Sequence, residues 1–165
     1  MRALVQRVFW AEVEVEGRIV GRIDHGLLVY VGVAAGDVAA DAQRLAEKVA
    51  HLRVFEDPAG KMNLSVRDVG GAVLAVSSFT LLADASKGRR PAFAGAADAA
   101  HAEALYGAFA GELRLQGCLV ERGIFGAMMV VRSAAAGPVN VIIDFPPQPR
   151  AAPAETQKGV DRREN

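Results

Sequence analysis

Glu12-Val13-Glu14-Val15-Glu16-Gly17-Arg18-Ile19-Val20-Gly21-Arg22-Ile23 leads, after Asp24-His25, into Gly26-Leu27-Leu28-Val29-Tyr30-Val31-Gly32-Val33. These two stretches decide the fold class. In the first, Val13 and Val15 alternate with Glu12, Glu14 and Glu16, a period of two that predicts a strand with one wet face. Glu16-Gly17 marks a turn, and Ile19 to Ile23 returns as the second arm of a hairpin. The run from Leu27 to Val33 is apolar at nearly every position, which suits a strand buried on both faces. The period then changes. Val38, Ala42, Leu45, Ala46, Val49 and Leu52 recur at helical spacing, with Asp41, Arg44, Glu47 and Lys48 on the other face. Asp37, behind Gly36, is the expected N-cap of that helix.

The same two periods continue downstream. Val73 to Val76 predicts another short buried strand. A second helix is expected from about Asp98 to Gln116, with Ala102, Leu105, Tyr106, Phe109 and Leu113 as its apolar stripe and Gly117 as its stop. Gly107 and Gly111 lower its intrinsic stability, so packing must hold it. Two strands, Ala127 to Val131 and Val139 to Phe145, are expected to close the domain. The reading is α/β, mixed strands with two main helices. From Pro146 onward the apolar pattern stops, and four of the seven prolines fall there. The expected division is a folded domain over 1–145 and a Pro-rich, charged, disordered tail over 146–165.

Composition narrows the classes. The 165 residues suit one domain, and 52% of them are hydrophobic. Nineteen Lys and Arg balance nineteen Asp and Glu, so a nucleic-acid partner would need its positive charge gathered into a patch. The single Cys118 has no internal disulfide partner. Arg2, Gln6 and Arg7 argue against a signal peptide, and no apolar run approaches the ~20 residues that span a bilayer. A cytoplasmic protein without a membrane partner is expected.

The usual catalytic sets are absent from the sequence. His25, His51 and His101 stand apart from any Ser or Cys in a nucleophile setting. No Cys/His spacing suits a metal, and no metal or other cofactor is expected. No Gly-x-Ser-x-Gly elbow or P-loop occurs. Asp57 and Asp68 lie in turn-like stretches, which favours turn roles for their carboxylates. Generic motifs thus specify only a soluble α/β domain. Three local features stand out. Ser77-Ser78-Phe79-Thr80-Leu81 puts polar groups at the end of a buried strand, a common place for a site. Lys87-Gly88-Arg89-Arg90-Pro91 is a compact basic loop, either a solvated turn or a phosphate grip. Gly137-Pro138 falls between two strand segments, where Pro requires an edge or a break and the bond before it can be trans or cis.

With those features in place, the chain resembles the D-aminoacyl-tRNA deacylases of the bacterial and eukaryotic type. The resemblance runs from Met1 to about Phe145. It is carried by Val5-Gln6-Arg7-Val8, Phe55-Glu56-Asp57, Gly60-Lys61-Met62-Asn63-Leu64-Ser65-Val66, Ser77 to Leu81, Lys87 to Pro91, Gly123-x-Phe125-Gly126-Ala127-x-Met129 and Gly137-Pro138-Val139. Two positions depart from the family pattern: Ser78 stands where Gln is usual and Asn140 where Thr is usual. The resemblance implies mixed, mostly antiparallel sheets forming a barrel-like core with two main helices. It also implies hydrolysis of the ester of D-aminoacyl-tRNA, extending to glycyl-tRNA, including glycine mischarged on alanine tRNA.

The site residues it implies are these. Backbone N–H groups around Phe79 and Thr80, with Ser77 and Ser78 beside them, would bind the ester carbonyl, and the vicinal tRNA hydroxyl would assist water. Gly137-Pro138, held cis and braced by Arg7, would enter the site of a partner chain in a homodimer and exclude L side chains. Lys87, Arg89 and Arg90 would hold tRNA, and Phe125 and Met129 would line the pocket. Two alternatives stand beside this reading: a non-catalytic tRNA-binding relative with a site weakened at Ser78 and Asn140, and a small-molecule esterase on the same fold.

Overall fold

The computed structural model describes residues 1–86 and 88–145. The sheet begins with β1 (Arg2–Val15), β2 (Arg18–Ile23) and β3 (Gly26–Gly32). Glu16 and Gly17 both have positive φ, 49° and 78°, which makes the tight turn between β1 and β2. β2 pairs the second half of β1 and β3 pairs the first half, so the two follow one another along the same edge. α1 (Ala39–Ala50), the two-stranded β4 (Phe55–Glu56) and β5 (Met62–Leu64), and then β6 (Ala72–Ser77) come next. β6 is parallel to β3, with Val31 opposite Ser77. α2 (Ala99–Leu115) precedes β7 (Leu119–Arg122), which is parallel to β6. The last strand, β8 (Val130–Asp144), runs antiparallel along the free edge of β1.

Two cores follow from the period of two. Leu27, Val29 and Val31 of β3, with Val73 and Ala75 of β6, face α1 and α2. Leu28, with Leu74 and Val76, faces a second cluster containing Val8, Ala11, Val13 and Ile23. Only an uninterrupted apolar strand can serve both cores, which is why β3 and β6 read as runs. The second cluster is the interior of a nearly closed barrel. A side chain on Gly21 of β2 would meet the Arg122 carbonyl of β7 at 2.6 Å, so glycine permits the two ends of the sheet to touch. Ala3 and Val5 serve the helix side, whereas Ala11 and Val13, of the same parity, serve the barrel. A register shift between Val8 and Trp10 supplies the extra residue that turns β1 over.

α2 ends in a Schellman turn. Gly117, at φ +85°, donates to Arg114, and Cys118 donates to Leu113. Tyr106 is buried in this helix and its hydroxyl donates to the Ala75 carbonyl at 2.9 Å. Burial pushes its pKa up to about 12, so it is always the donor. Tyr106→Phe removes that bond, but Ala75 keeps the Gly123 N–H. The expected cost is therefore about 0.5–1.5 kcal/mol, read as a lower urea midpoint at unchanged slope; an unchanged midpoint contradicts it.

Several expectations are corrected. Asp37 does not cap α1. Its buried carboxylate takes the Ala34 N–H at 2.6 Å and the Met1 amino group at 2.5 Å. Val38 is the N-cap, and Asp41, expected on the wet face, is buried and reaches back to the Val38 N–H at 3.0 Å. The closing strands are one strand, β8. The first half of β1 and the short β7 were not expected as strands. The tail over 146–165 and Lys87 lie outside the described residues. No helix among the described residues is long and apolar enough to cross a membrane.

Candidate active site

The parallel strands β3 and β6 end together, and the chain turns there. The Ser78 N–H donates to the Val31 carbonyl at 2.8 Å, which anchors a 3₁₀ turn over Phe79–Leu82. The first bond of that turn runs from Leu81 to the Ser78 carbonyl, and Ala83 bonds Thr80. The N–H groups of Phe79 and Thr80 find no acceptor among the described residues. Two adjacent unpaired donors at the start of a helical turn suit an oxygen that gains negative charge. Arg2 fixes the far side of the turn: its guanidinium donates to the Leu81 carbonyl at 3.1 Å and to Asp144 at 2.6 Å. Sequence reasoning missed this anchor, because it joins residues far apart in the chain.

The side chains of the turn carry little chemistry. The Thr80 and Ser78 hydroxyls lie 3.1 Å apart and are each other's partner. Among the described residues, none of the three histidines hydrogen-bonds a Ser, Thr or Cys. His25 packs edge-on against Phe55 at 5.0 Å, His51 meets Glu47 and Arg67, and His101 meets the Asp37 carbonyl. Asp57 accepts from Ala59, Lys61 and Asn63, with the Lys61 N–H foremost in holding it below the usual carboxylate range. Asp68 is held down first by the Ser65 hydroxyl. Both carboxylates thus serve turns. Burial pushes the Cys118 thiol up, keeping it protonated. No group of metal-ligating residues occurs among the described residues.

The basic loop stands beside the turn. Asp84 and Ala92 exchange backbone bonds of 2.8 and 2.9 Å and close it, Gly88 takes φ +74°, and Arg89 and Arg90 are exposed. Phe93 behind the loop packs on the exposed Phe79 ring at 5.1 Å. Phe125 and Met129 lie in the connection between β7 and β8, and the Gly123 N–H ties its start to Ala75 of β6. Phe125 joins the helix-side core near Tyr106, at 6.2 Å, whereas Met129 joins the barrel cluster. They pack on different sides of the sheet.

Gly137-Pro138 lies elsewhere in the chain. Gln6 pairs Asn140 and Val8 pairs Ala135, so the four residues 136–139 bulge outward opposite Arg7 alone. The Gly137–Pro138 peptide is cis, and both residues are exposed. Arg7 donates to the Ala136 carbonyl at 3.1 Å and to the Val54 carbonyl at 2.6 Å. Gln6 bonds Asn140 at 3.0 Å. The turn lies against the start of β1, where Arg2 holds Leu81, whereas the bulge stands opposite Arg7, five residues further along the same strand, roughly 17 Å at ~3.4 Å per residue. Within one chain the structure does not bring Thr80 and Gly137-Pro138 together.

A strand-end turn with free N–H donors on a nearly closed mixed sheet defines a small α/β domain built for positioning, with few reactive side chains. Over residues 4–144 the chain matches the family described as D-Tyr-tRNA(Tyr) deacylase. It is 56% identical over 144 residues to a protein of Anaeromyxobacter dehalogenans named D-aminoacyl-tRNA deacylase, covering 87% of this chain and 97% of that one. It is 55% identical over 149 residues to one of the same name from Thermus aquaticus, covering 90% and 98%. A solved structure described as c-Myc DNA Unwinding Element Binding Protein superposes with a TM-score of 0.82 at 36% identity, over 87% and 98% of the two chains. The chain belongs to the D-Tyr-tRNA(Tyr) deacylase family.

Proposed function

We propose that this protein is an enzyme that hydrolyses the ester of D-aminoacyl-tRNA, freeing the tRNA and the D-amino acid. The observation that carries the reading is identity above one half, along nearly the whole length of relatives that bear the deacylase name. The test is release of D-tyrosine from D-tyrosyl-tRNA. A protein that binds this tRNA and leaves the ester intact is instead the non-catalytic binder. One that acts no faster on the tRNA than on D-aminoacyl-adenosine is instead a small-molecule esterase.

The finer mechanism follows from the free donors. The Phe79 and Thr80 N–H groups receive the ester carbonyl as it becomes an oxyanion. The ester is activated by its α-ammonium group, and the vicinal ribose hydroxyl assists the attacking water, so positioning supplies most of the rate. The separation of turn and bulge along β1 within one chain supports a composite site in a C2 dimer, where the projecting Gly137-Pro138 of one chain reaches the turn of the other. There its carbonyls take the substrate ammonium and its backbone fills the space of an L side chain. A charged tRNA as substrate supports a cytoplasmic location. Mixing an inactive chain altered at the Phe79–Leu82 turn with one altered at Gly137-Pro138 is expected to restore activity; no recovery in verified mixed dimers overturns the composite site.

The exposed Arg89 and Arg90, with Lys87, grip the tRNA backbone beside the turn. Replacing all three with Ala is expected to weaken tRNA binding and lower the slope of log K against log salt by about one unit per lost phosphate contact. An unchanged slope would make the loop a turn only.

A further inference from the structure

A second basic surface lies beyond the Arg7 brace. A groove of about 490 Å³ is lined by His51, Arg53, Ser65, Arg67, Asp68 and Gly117. An adjoining one of about 370 Å³, lined by Arg44, Glu47, Lys48, His51 and Phe145, shares His51 with it. Together they hold four cations, Arg44, Lys48, Arg53 and Arg67, against two carboxylates, Glu47 and Asp68. None of the four cations forms an ion pair among the described residues.

Arg53 and Arg67 hydrogen-bond neutral partners, while the nearby Asp68 feels the charge of both. Arg67 donates to His51 Nε2 at 2.6 Å, and the His51 Nδ1–H rests on the Glu47 carbonyl at 2.9 Å, which fixes the ring with Nε2 as acceptor. Arg53 donates to Asn63 at 3.3 Å. Asp68 has its carboxylate turned onto the Ser65 N–H and hydroxyl at 2.8 and 2.7 Å. Each guanidinium keeps most of its five donors unspent. Two grooves joined through one residue make a track, with cations spaced along it, and a track suits a chain of phosphates better than one small anion.

The position of the track matters as much as its charge. Arg53 precedes Val54, whose carbonyl takes Arg7, and Arg7 holds Ala136 beside Gly137-Pro138. The track thus ends next to the brace of the segment assigned above to the partner's ester site.

We propose that Arg44, Lys48, Arg53 and Arg67 form a second binding site for the phosphodiester backbone of tRNA, separate from the loop at Arg89 and Arg90. The role in catalysis rests on the deacylase reading, whereas the binding does not. The site supplies affinity and carries no chemistry.

The experiment pairs Arg53→Gln/Arg67→Gln with Arg53→Lys/Arg67→Lys. Binding of uncharged tRNA is followed by fluorescence anisotropy from 50 to 200 mM salt, and kcat/KM is measured on D-tyrosyl-tRNA and on D-tyrosyl-adenosine. The Gln pair is expected to weaken tRNA binding about tenfold, lower the salt slope by about one unit per arginine, and reduce the preference for tRNA over the adenosine ester by a similar factor. The Lys pair is expected to keep the wild-type slope, since charge alone is needed. The proposal is overturned if the Gln pair keeps the wild-type slope, or if both substrates slow together with the preference intact. Should the wild-type protein release tyrosine from neither substrate, the deacylase reading fails and the anisotropy still decides the track.

Discussion

Replacing the 2′-hydroxyl of the terminal adenosine with hydrogen is expected to slow release of the D-amino acid by two to four powers of ten, roughly the range of general acid–base assistance. Thr80→Val is expected to cost less than about tenfold, because no proton transfer in the mechanism runs through this side chain. The expectation comes from what surrounds the Thr80 hydroxyl. Its one partner among the described residues is the Ser78 hydroxyl at 3.1 Å. A hydroxyl nucleophile needs a base within hydrogen-bond reach, and among the described residues no histidine or carboxylate bonds it. The backbone donors of Phe79 and Thr80 survive the substitution, since valine keeps the same N–H. The two rates are measured in single-turnover assays on matched substrates. If Thr80→Val is the more damaging change, Thr80 takes part in the chemistry and substrate assistance is wrong.

Glycyl-tRNA is expected to be hydrolysed together with D-alanyl-tRNA, while L-alanyl-tRNA survives. A filter made of Gly137 and Pro138 backbone atoms tests only whether a group occupies the L position. Glycine places hydrogen there and still presents its ammonium. A pocket that gripped the D side chain would behave differently, because each lost methylene contact costs about 1–3 kcal/mol and glycine would fall behind by ten- to two-hundredfold. The proposed filter would be carried by a projecting segment of backbone. Residues 136–139 bulge outward opposite one residue of β1, and Arg7 ties the base of the bulge to Ala136. Gly137 has φ +125°, and a side chain there would meet Val139 at 2.9 Å and Arg7 at 3.2 Å. A series on glycyl-, D-alanyl- and L-alanyl-tRNA at equal enzyme concentration decides the matter. Glycyl-tRNA persisting as long as the L-alanyl form sinks the exclusion mechanism.

The parts of the fold legible in the sequence are those governed by one period. The β1–β2 turn, β3, β6 and the stripe of α2 follow directly from alternation, an apolar run, or helical spacing. The first half of β1 was hidden because Arg2, Gln6 and Arg7 interrupt its apolar pattern, and each proves to have a partner distant in sequence: Asp144, Asn140 and Ala136. The sequence of β8 reads as two strands because a Gly-Pro pair looks like an ending, whereas the bulge lets pairing resume at Asn140. Asp37 looks like a cap because an acid ahead of a helical stripe has the same local sequence in either role; its contact with the distant Met1 amino group is what the sequence does not show. At the site, the polar cluster after Val76 was visible as a strand end. The unpaired N–H groups were not, because any residue carries one and only the turn leaves these two free. The basic track was likewise invisible, since Arg67 comes from the segment after β5 and joins the cations of α1 only through its contact with His51.

The central claim is tested most directly in one tube. D-tyrosine and L-tyrosine carrying different labels are esterified to the same tRNA, mixed in equal amounts, and exposed to the purified protein. The D ester is expected to be emptied while the L ester decays no faster than in buffer. Equal loss of both esters, or survival of both, contradicts the account.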